Sequence, residues 1–342
     1  MSSTALATIL HISDLHLGHI IGGPGVSPND ARVRGFIKLY RRFDGLLGHH
    51  FDALRALEDF HRRLRPHHPL LIVTGDLTRN GHDLQYDLAK DFLGGRLPPP
   101  HGNQTGLNHT RWSECTITGN HDHWPGSDRI LGAPRNNFVQ LYASPVFRTS
   151  TKLPSGRYLQ FACISTDSKV NPHSPTRFLA RGNFDDQLLT IQKHLKDDVR
   201  AIRILLMHHS PSYVNGGLRE SEVVHGSDAM LRGILHEKKI RVILSGHIHK
   251  PAVTVHQVTT SQGGYPVLEA RCGTTCVRDT YPKTWSKKFR GRRLEANSLM
   301  VHKVTDENGR LYWNTQIFEK PIGGMYPDPT GASQPYVHRF PL

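Results

Sequence analysis

Five times along this chain a short run of aliphatic and β-branched residues ends directly in a cluster of Asp, Asn or His. Residues 8–12 lead into Ser13-Asp14-Leu15-His16, residues 70–74 into Gly75-Asp76, and residues 115–118 into Gly119-Asn120-His121-Asp122-His123. Residues 202–207 lead into His208-His209-Ser210-Pro211, and residues 241–244 into Ser245-Gly246-His247-Ile248-His249. Runs this apolar, 70–74 above all, read as strands of a sheet covered on both faces. Open α/β sheets build their sites beyond the carboxyl ends of such strands. The arrangement therefore calls for an α/β fold with one polar site at a shared sheet edge. Gly119 is expected to end its strand and let the backbone turn sharply. Asp14 and His16, two apart, are expected to face the same side of extended backbone, and so are His247 and His249.

Between these runs the period changes. Leucine and phenylalanine recur at three- and four-residue spacing from 36 to 47 and again from 54 to 64, which predicts a helical insertion over about 32–65, closed by Pro66 and Pro69. Helices are also expected over 83–93, 183–195 and 227–236. Residues 20–31 and 124–157 read as loop, with short helix in the latter, and 94–113 as an irregular insertion that could rim the site. After Pro251 hairpin-like strands dominate: 253–258, 266–269, 298–304 and 311–318. A single domain is expected over 1–320, followed by an irregular Pro- and Gly-rich tail over 321–342.

The 342 residues suffice for one large α/β domain or two modest ones. A hydrophobic content of 37% with 21% charged residues marks a globular chain. The apolar runs fall short of the ~20 residues of a membrane span, and Asp14 and His16 interrupt the only candidate for a leader, so a cytoplasmic protein is expected. Four cysteines do not form a disulfide framework, and the C-x3-C of Cys272 and Cys276 reads as two free thiols. A net charge of +14 favours anionic partners: phosphate esters, nucleotides, nucleic acid or an acidic membrane surface. The basic residues Arg32, Arg34, Lys38, Arg41 and Arg42 suit either a substrate approach or the wet face of a helix, and 278–293 reads as a basic surface loop.

Asp14, His16, Asp76, Asn120, His208, His247 and His249 form a ligand set of carboxylate, amide and imidazole without thiolate, which suits Mn, Fe or Zn. Seven side chains are too many for one structural ion and suit a two-metal site, one carboxylate bridging ions ~3.5–4 Å apart. These motifs, D-x-H, G-D, G-N-H-D, H and G-H-x-H in that order over residues 14–249, resemble the calcineurin-like metallophosphoesterase superfamily. The resemblance implies a four-layer α/β/β/α sandwich of two mixed sheets flanked by helices, with a dinuclear centre at the strand ends. It assigns Asp14, His16, Asp76 and His249 to the first ion, and Asp76, Asn120, His208 and His247 to the second. The wording around HISDLHLGH and GDLTRNG is more similar to bacterial phosphodiesterases, including class III cyclic nucleotide phosphodiesterases, than to protein phosphatases.

The expected reaction is direct in-line hydrolysis of a nucleotide or other small phosphodiester by a hydroxide that two cations generate. His121 would donate a proton or hydrogen bond to the leaving oxygen and Asp122 would orient its ring. His19 and His209 are candidates for substrate contact, for support of the ligands, or for plain exposure. A nuclease acting on DNA or RNA is the alternative, and a silent binding protein of the same fold a third reading.

Overall fold

The structure is a computed structural model that describes residues 5–18, 49, 51–79, 83–97, 105–122, 151–164, 166, 189, 191–193, 195, 197–211, 228–260, 263–276, 296–321, 323–330 and 338–342. The expected helix over 36–47, the loops at 20–31 and most of 124–157, most of the helix at 183–195, the basic loop at 278–293 and His19 lie outside these residues.

Two six-stranded mixed sheets carry the fold. In the first, β1 (Ala5–Ile12), β2 (Leu70–Thr74) and β3 (Thr116–Ile117) run parallel. The hairpin β10 (Asn297–Glu307) and β11 (Arg310–Lys320) adds antiparallel to β1, and β12 (His338–Pro341) closes the edge. In the second, β4 (Thr151–Lys152) flanks the parallel series β5 (Tyr158–Ile164), β6 (Ala201–Met207), β7 (Ile240–Ser245) and β9 (Gly263–Arg271), with β8 (Ala252–Thr260) antiparallel at the far edge. Helices α1 (Phe51–Leu64), α2 (Asp83–Gly94) and α3 (Asp228–Glu237) complete the elements used below.

Side-chain alternation along the strands divides the apolar residues into three layers. Leu10 and Ile12 of β1 and Leu71 and Val73 of β2 meet Leu54, Leu57, Phe60 and Phe92 of α1 and α2. Ile9 and Ile72, on the opposite face, meet Phe161, Ile204, Leu206 and Leu244 of the second sheet. The outer face of that sheet, with Leu205, Met207 and Ile243, takes Leu231, Ile234 and Leu235 of α3. The order is helix, sheet, sheet, helix, as expected. Among the described residues no helix is long and apolar enough to cross a membrane.

Two expectations are corrected. The C-terminal segment is not irregular throughout: β12 pairs with β11 and buries Phe340 between the sheets, while Tyr326 packs with Phe60 and Phe318. Four residues containing one proline are too short to show a strand period. The described residues of 94–113 do not rim the strand-end site either. Leu97, Leu107 and Trp112 are buried in the layer of α1 and α2, and Trp112 lies just before β3, at the end of that strand opposite its polar cluster. The four cysteines are buried, and Cys272 and Cys276 are free thiols as expected.

Candidate metal centre

The carboxyl ends of β1, β2, β3, β6 and β7 bring the five polar clusters together. His16 Nε2 lies 3.1 Å from His249 Nε2, 3.5 Å from Asp76 Oδ2 and 3.9 Å from Asp14 Oδ1, and Asp14 Oδ1 lies 3.2 Å from His249 Nε2. On the other side, Asn120 Oδ1 lies 3.1 Å from His208 Nε2 and 3.0 Å from His247 Nδ1, and His208 Nε2 lies 3.4 Å from Asp76 Oδ1. Asp14, His16, Asp76 and His249 form one group that could hold an ion, and Asp76, His208 and His247 another, with ligand atoms within 4.8 Å of one another in each. Asp76 belongs to both, presenting one oxygen to each.

The donor chemistry fits cations. Imidazole and carboxylate atoms converge at separations of 3.1–3.9 Å. Ligands at ~2.1 Å around a tetrahedral ion would stand about 3.4 Å apart. Asp14 is fully buried and its Oδ1 accepts no hydrogen bond from the described residues. A buried carboxylate oxygen left this way is costly unless a positive charge meets it. His208 donates from Nδ1 to the Thr74 carbonyl at 2.7 Å, which leaves Nε2 aimed at the group. Burial opposes charge on His208, yet the adjacent Asp76 pushes it up to about 10. Burial likewise favours a protonated Asp76, but His208 and His121 overcome it and hold the carboxyl well below its ordinary value.

The backbone reveals the cost of building this site. Asp14, His16, Asp76, His247 and His249 all have positive φ, between 47° and 71°. They are five of the nine non-glycine residues in that region among those described. Such backbone costs about 1–3 kcal/mol per residue and gathers where surrounding structure enforces it for function. Asp14 and His16 therefore share a side through left-handed loop backbone that follows β1, and not through strand alternation. After β3 ends, the Asp122 N–H closes a turn on the Gly119 carbonyl at 3.2 Å, and a Cβ on Gly119 would meet Asp76 Oδ1 at 2.2 Å. Close approach to the shared carboxylate, and not a positive φ, requires glycine at the start of this turn.

His121 and Asp122 sit beside the groups but not as a pair. The His121 ring packs edge-on against His16 at 4.6 Å, and its Nδ1 donates to the Arg79 carbonyl at 2.7 Å. Asp122 instead accepts from the backbone N–H groups of Leu77, Thr78 and Gly119 at 3.1, 2.7 and 2.9 Å, and from the Thr78 hydroxyl at 2.8 Å. It ties the loop after β2 to the loop after β3. The expectation that Asp122 orients the His121 ring is thus replaced: the Arg79 carbonyl does so. Burial, with the nearby Asp76 charge, pushes the Asp122 carboxyl up to about 7, against the pull of its donors.

His209 is buried, so plain exposure is ruled out for it. Its ring lies 4.2 Å from that of His247 and 5.1 Å from that of His208, with Nδ1 2.6 Å from Thr166 Oγ1. Other supports escaped the sequence reading. Thr274 Oγ1 donates to the Asp14 carbonyl at 3.0 Å, and the N–H of Thr275 donates to the Ser13 carbonyl at 3.1 Å. Residues 272–276 are a sixth strand end, after β9, whose two cysteines drew attention away from the threonines between them.

The chain is an α/β/β/α sandwich with two overlapping His/carboxylate groups, each able to hold a metal ion, at the strand ends. The calcineurin-like phosphoesterase family model matches residues 7–251. The chain belongs to that family. It is 24% identical over 194 residues to a Synechococcus sp. protein that carries the name "Probable cyclic nucleotide phosphodiesterase", a match covering 57% of this chain and 63% of that relative's length. Among solved structures it is similar to GAP50, the anchor in the inner membrane complex of Plasmodium, at 11% identity and a TM-score of 0.49, over 99% of this chain and 89% of that one. It is similar also to a dimetal phosphatase from Danio rerio at 14% identity and a TM-score of 0.47, over 91% of this chain and 96% of that one. At such scores these two likenesses carry no weight for fold or function.

Proposed function

We propose that the protein hydrolyses small phosphodiesters, nucleotide diesters first among them, at a centre of two metal ions. The observation that carries this reading is the placement of Asp76, whose two oxygens face two separate histidine groups. Asp14, His16, Asp76 and His249 would hold one ion and Asp76, Asn120, His208 and His247 the other, with Mn, Fe or Zn suited to such donors. When bound, a cation pair acidifies a water to hydroxide near neutral pH and neutralises phosphoryl oxygens. His121 is the acid in this reading. Its Nδ1 proton is engaged by Arg79, so the proton it gives is carried on Nε2. Burial lowers the pKa of the ring, and an anionic phosphoryl group beside it would favour the charged form. His209 serves better as a brace behind His208 and His247 than as a substrate contact, because it is fully buried.

The preference for diesters draws on the motif wording and on the name of the Synechococcus relative. The net charge of +14 favours a second reading, a nuclease. Elemental analysis of active protein is expected to give about two transition-metal equivalents per chain; clearly fewer than one would sink the metal-centre reading. In a panel with bis-p-nitrophenyl phosphate, p-nitrophenyl phosphate, cyclic nucleotides and a single-stranded oligonucleotide, kcat/KM should be larger for the diester than for the monoester. A dominant oligonucleotide activity, with affinity falling steeply as salt rises, would favour the nuclease.

A further inference from the structure

Ser210 lies two residues beyond His208, and Ser245 two residues before His247. The hydroxyls of both reach one oxygen, Glu269 Oε1, at 2.6 and 3.0 Å. Glu269 stands on β9, beside β7, and alternation puts it on the outer face of the second sheet, since its neighbours Leu268 and Ala270 pack between the sheets. The carboxyl is only 2% exposed, and the two serines are fully buried. Its other oxygen, Oε2, lies 3.0 Å from Nε2 of His256 on β8. A carboxylate only accepts, so both serine hydroxyl protons are committed to it and the direction of each bond is fixed. One buried acceptor therefore fastens the loop after β6 to the last residue of β7, from which the next loop departs.

These two loops carry His208, His247 and His249. The strand-end motifs do not include Glu269, and the proposed hydrolysis gives it no step. We infer that Glu269 is a positioning residue that sets the spacing of His208 and His247 and thereby the affinity for the second ion. The inference rests on the dinuclear reading given above. The consequence is unequal for the two groups. The first draws Asp14, His16 and Asp76 from the first sheet and only His249 from the pinned loops. The second draws two of its donors, His208 and His247, from them.

The test is a manganese titration of the full chain, read by bound equivalents and by the exchange coupling in the electron paramagnetic resonance spectrum. Wild type should bind two ions as a coupled pair. Glu269→Ala should weaken the second ion by about 10–100-fold, the usual effect of removing a group that holds a ligand in place, and replace the coupled signal with that of an isolated ion. Glu269→Gln keeps an amide oxygen for both serines and should restore the pair. Should Glu269→Ala not fold, the double variant Ser210→Ala/Ser245→Ala decides by the same readout, since it removes both bonds and leaves the carboxylate in place. Coupled two-ion binding at wild-type affinity in Glu269→Ala, or in the double serine variant where the former does not fold, overturns the inference alone. So does equal weakening of both ions, or a Gln variant as impaired as Ala. A wild type that binds a single equivalent overturns the dinuclear reading and the inference with it.

Discussion

At the scale of single residues, the site separates groups that hold charge from groups that hold geometry. The His121 ring is fixed through Nδ1 by the Arg79 backbone carbonyl. His121→Ala should leave both metals bound and slow hydrolysis by ~10²–10⁴-fold, as for a lost general acid. The loss should be small for a p-nitrophenolate leaving group, which departs without a proton, and large for a ribose alkoxide. Equal losses on both substrates would point to binding or electrostatic help, and loss of metal would make His121 a ligand. Asp122→Asn should behave otherwise: three backbone donors and one hydroxyl face its carboxylate, so the change should lower Tm and metal occupancy with no dependence on leaving group. A leaving-group dependence like that of His121→Ala would restore the pairing expected from sequence. That pairing looked legible because neighbouring residues were assumed to face each other. The ligands themselves were legible because metal chemistry allows few residue types at strand ends. The left-handed backbone beneath five of them was not, since nothing in an Asp or His announces a positive φ.

At the scale of elements, strands and helices bury histidines that lie outside the five strand-end clusters. Along β11, β10, β1 and β2 a chain of hydrogen bonds crosses the first sheet. Trp313 Nε1 donates to His302 Nδ1 at 3.2 Å, His302 Nε2 lies 3.3 Å from His11 Nδ1, and His11 Nε2 lies 2.9 Å from Thr74 Oγ1. An indole only donates, so both rings are fixed as neutral Nε2–H tautomers, each passing its proton toward Thr74. Burial pushes His11 down to about 3, with Asp14 opposing, and burial with help from His11 holds His302 well below its ordinary value. Nitrogen-15 shifts of both rings should show the Nε2–H form from pH 5 to 8; a titrating or Nδ1–H ring would refute the chain. Helix α1 carries a second case. Burial, then His109 and Arg65, lowers His61 to about 4. Between pH 6.5 and about 4 the unfolded chain binds the extra proton, so stability falls as pH falls through that window. His61→Gln should flatten this part of the stability–pH curve relative to wild type, and an unchanged slope would show that His61 takes its proton without unfolding. Helix α1 itself was readable from its 3.6-residue period, whereas the burial of His61 depends on His109, 48 positions away in a segment with no period at all.

For the whole molecule, the strands proved the most readable feature, because a sheet covered on both faces demands apolar runs at β1, β2, β6 and β7. Short edge strands make no such demand. β4 and β12 gave no signal because two or four residues carry no period. The last strand therefore tests how far stability and catalysis are separate in this fold. β12 is the outer member of the first sheet, with β11 and β10 between it and β1. Phe340 is 3% exposed within the layer between the sheets, and the Arg241 guanidinium lies 5.0 Å from its ring while donating to the Pro341 carbonyl. Truncating a buried phenylalanine costs about 3–5 kcal/mol. Phe340→Ala should therefore lower Tm and the denaturant midpoint clearly. The strand ends that carry Asp14, Asp76, Asn120, His208 and His247 belong to β1, β2, β3, β6 and β7, and changes at separate, uncoupled positions act independently. Metal content and kcat/KM, measured well below the lowered Tm, should stay within about twofold of wild type. Loss of metal from folded Phe340→Ala protein would show instead that the C-terminal edge is coupled to the site through the layer between the sheets.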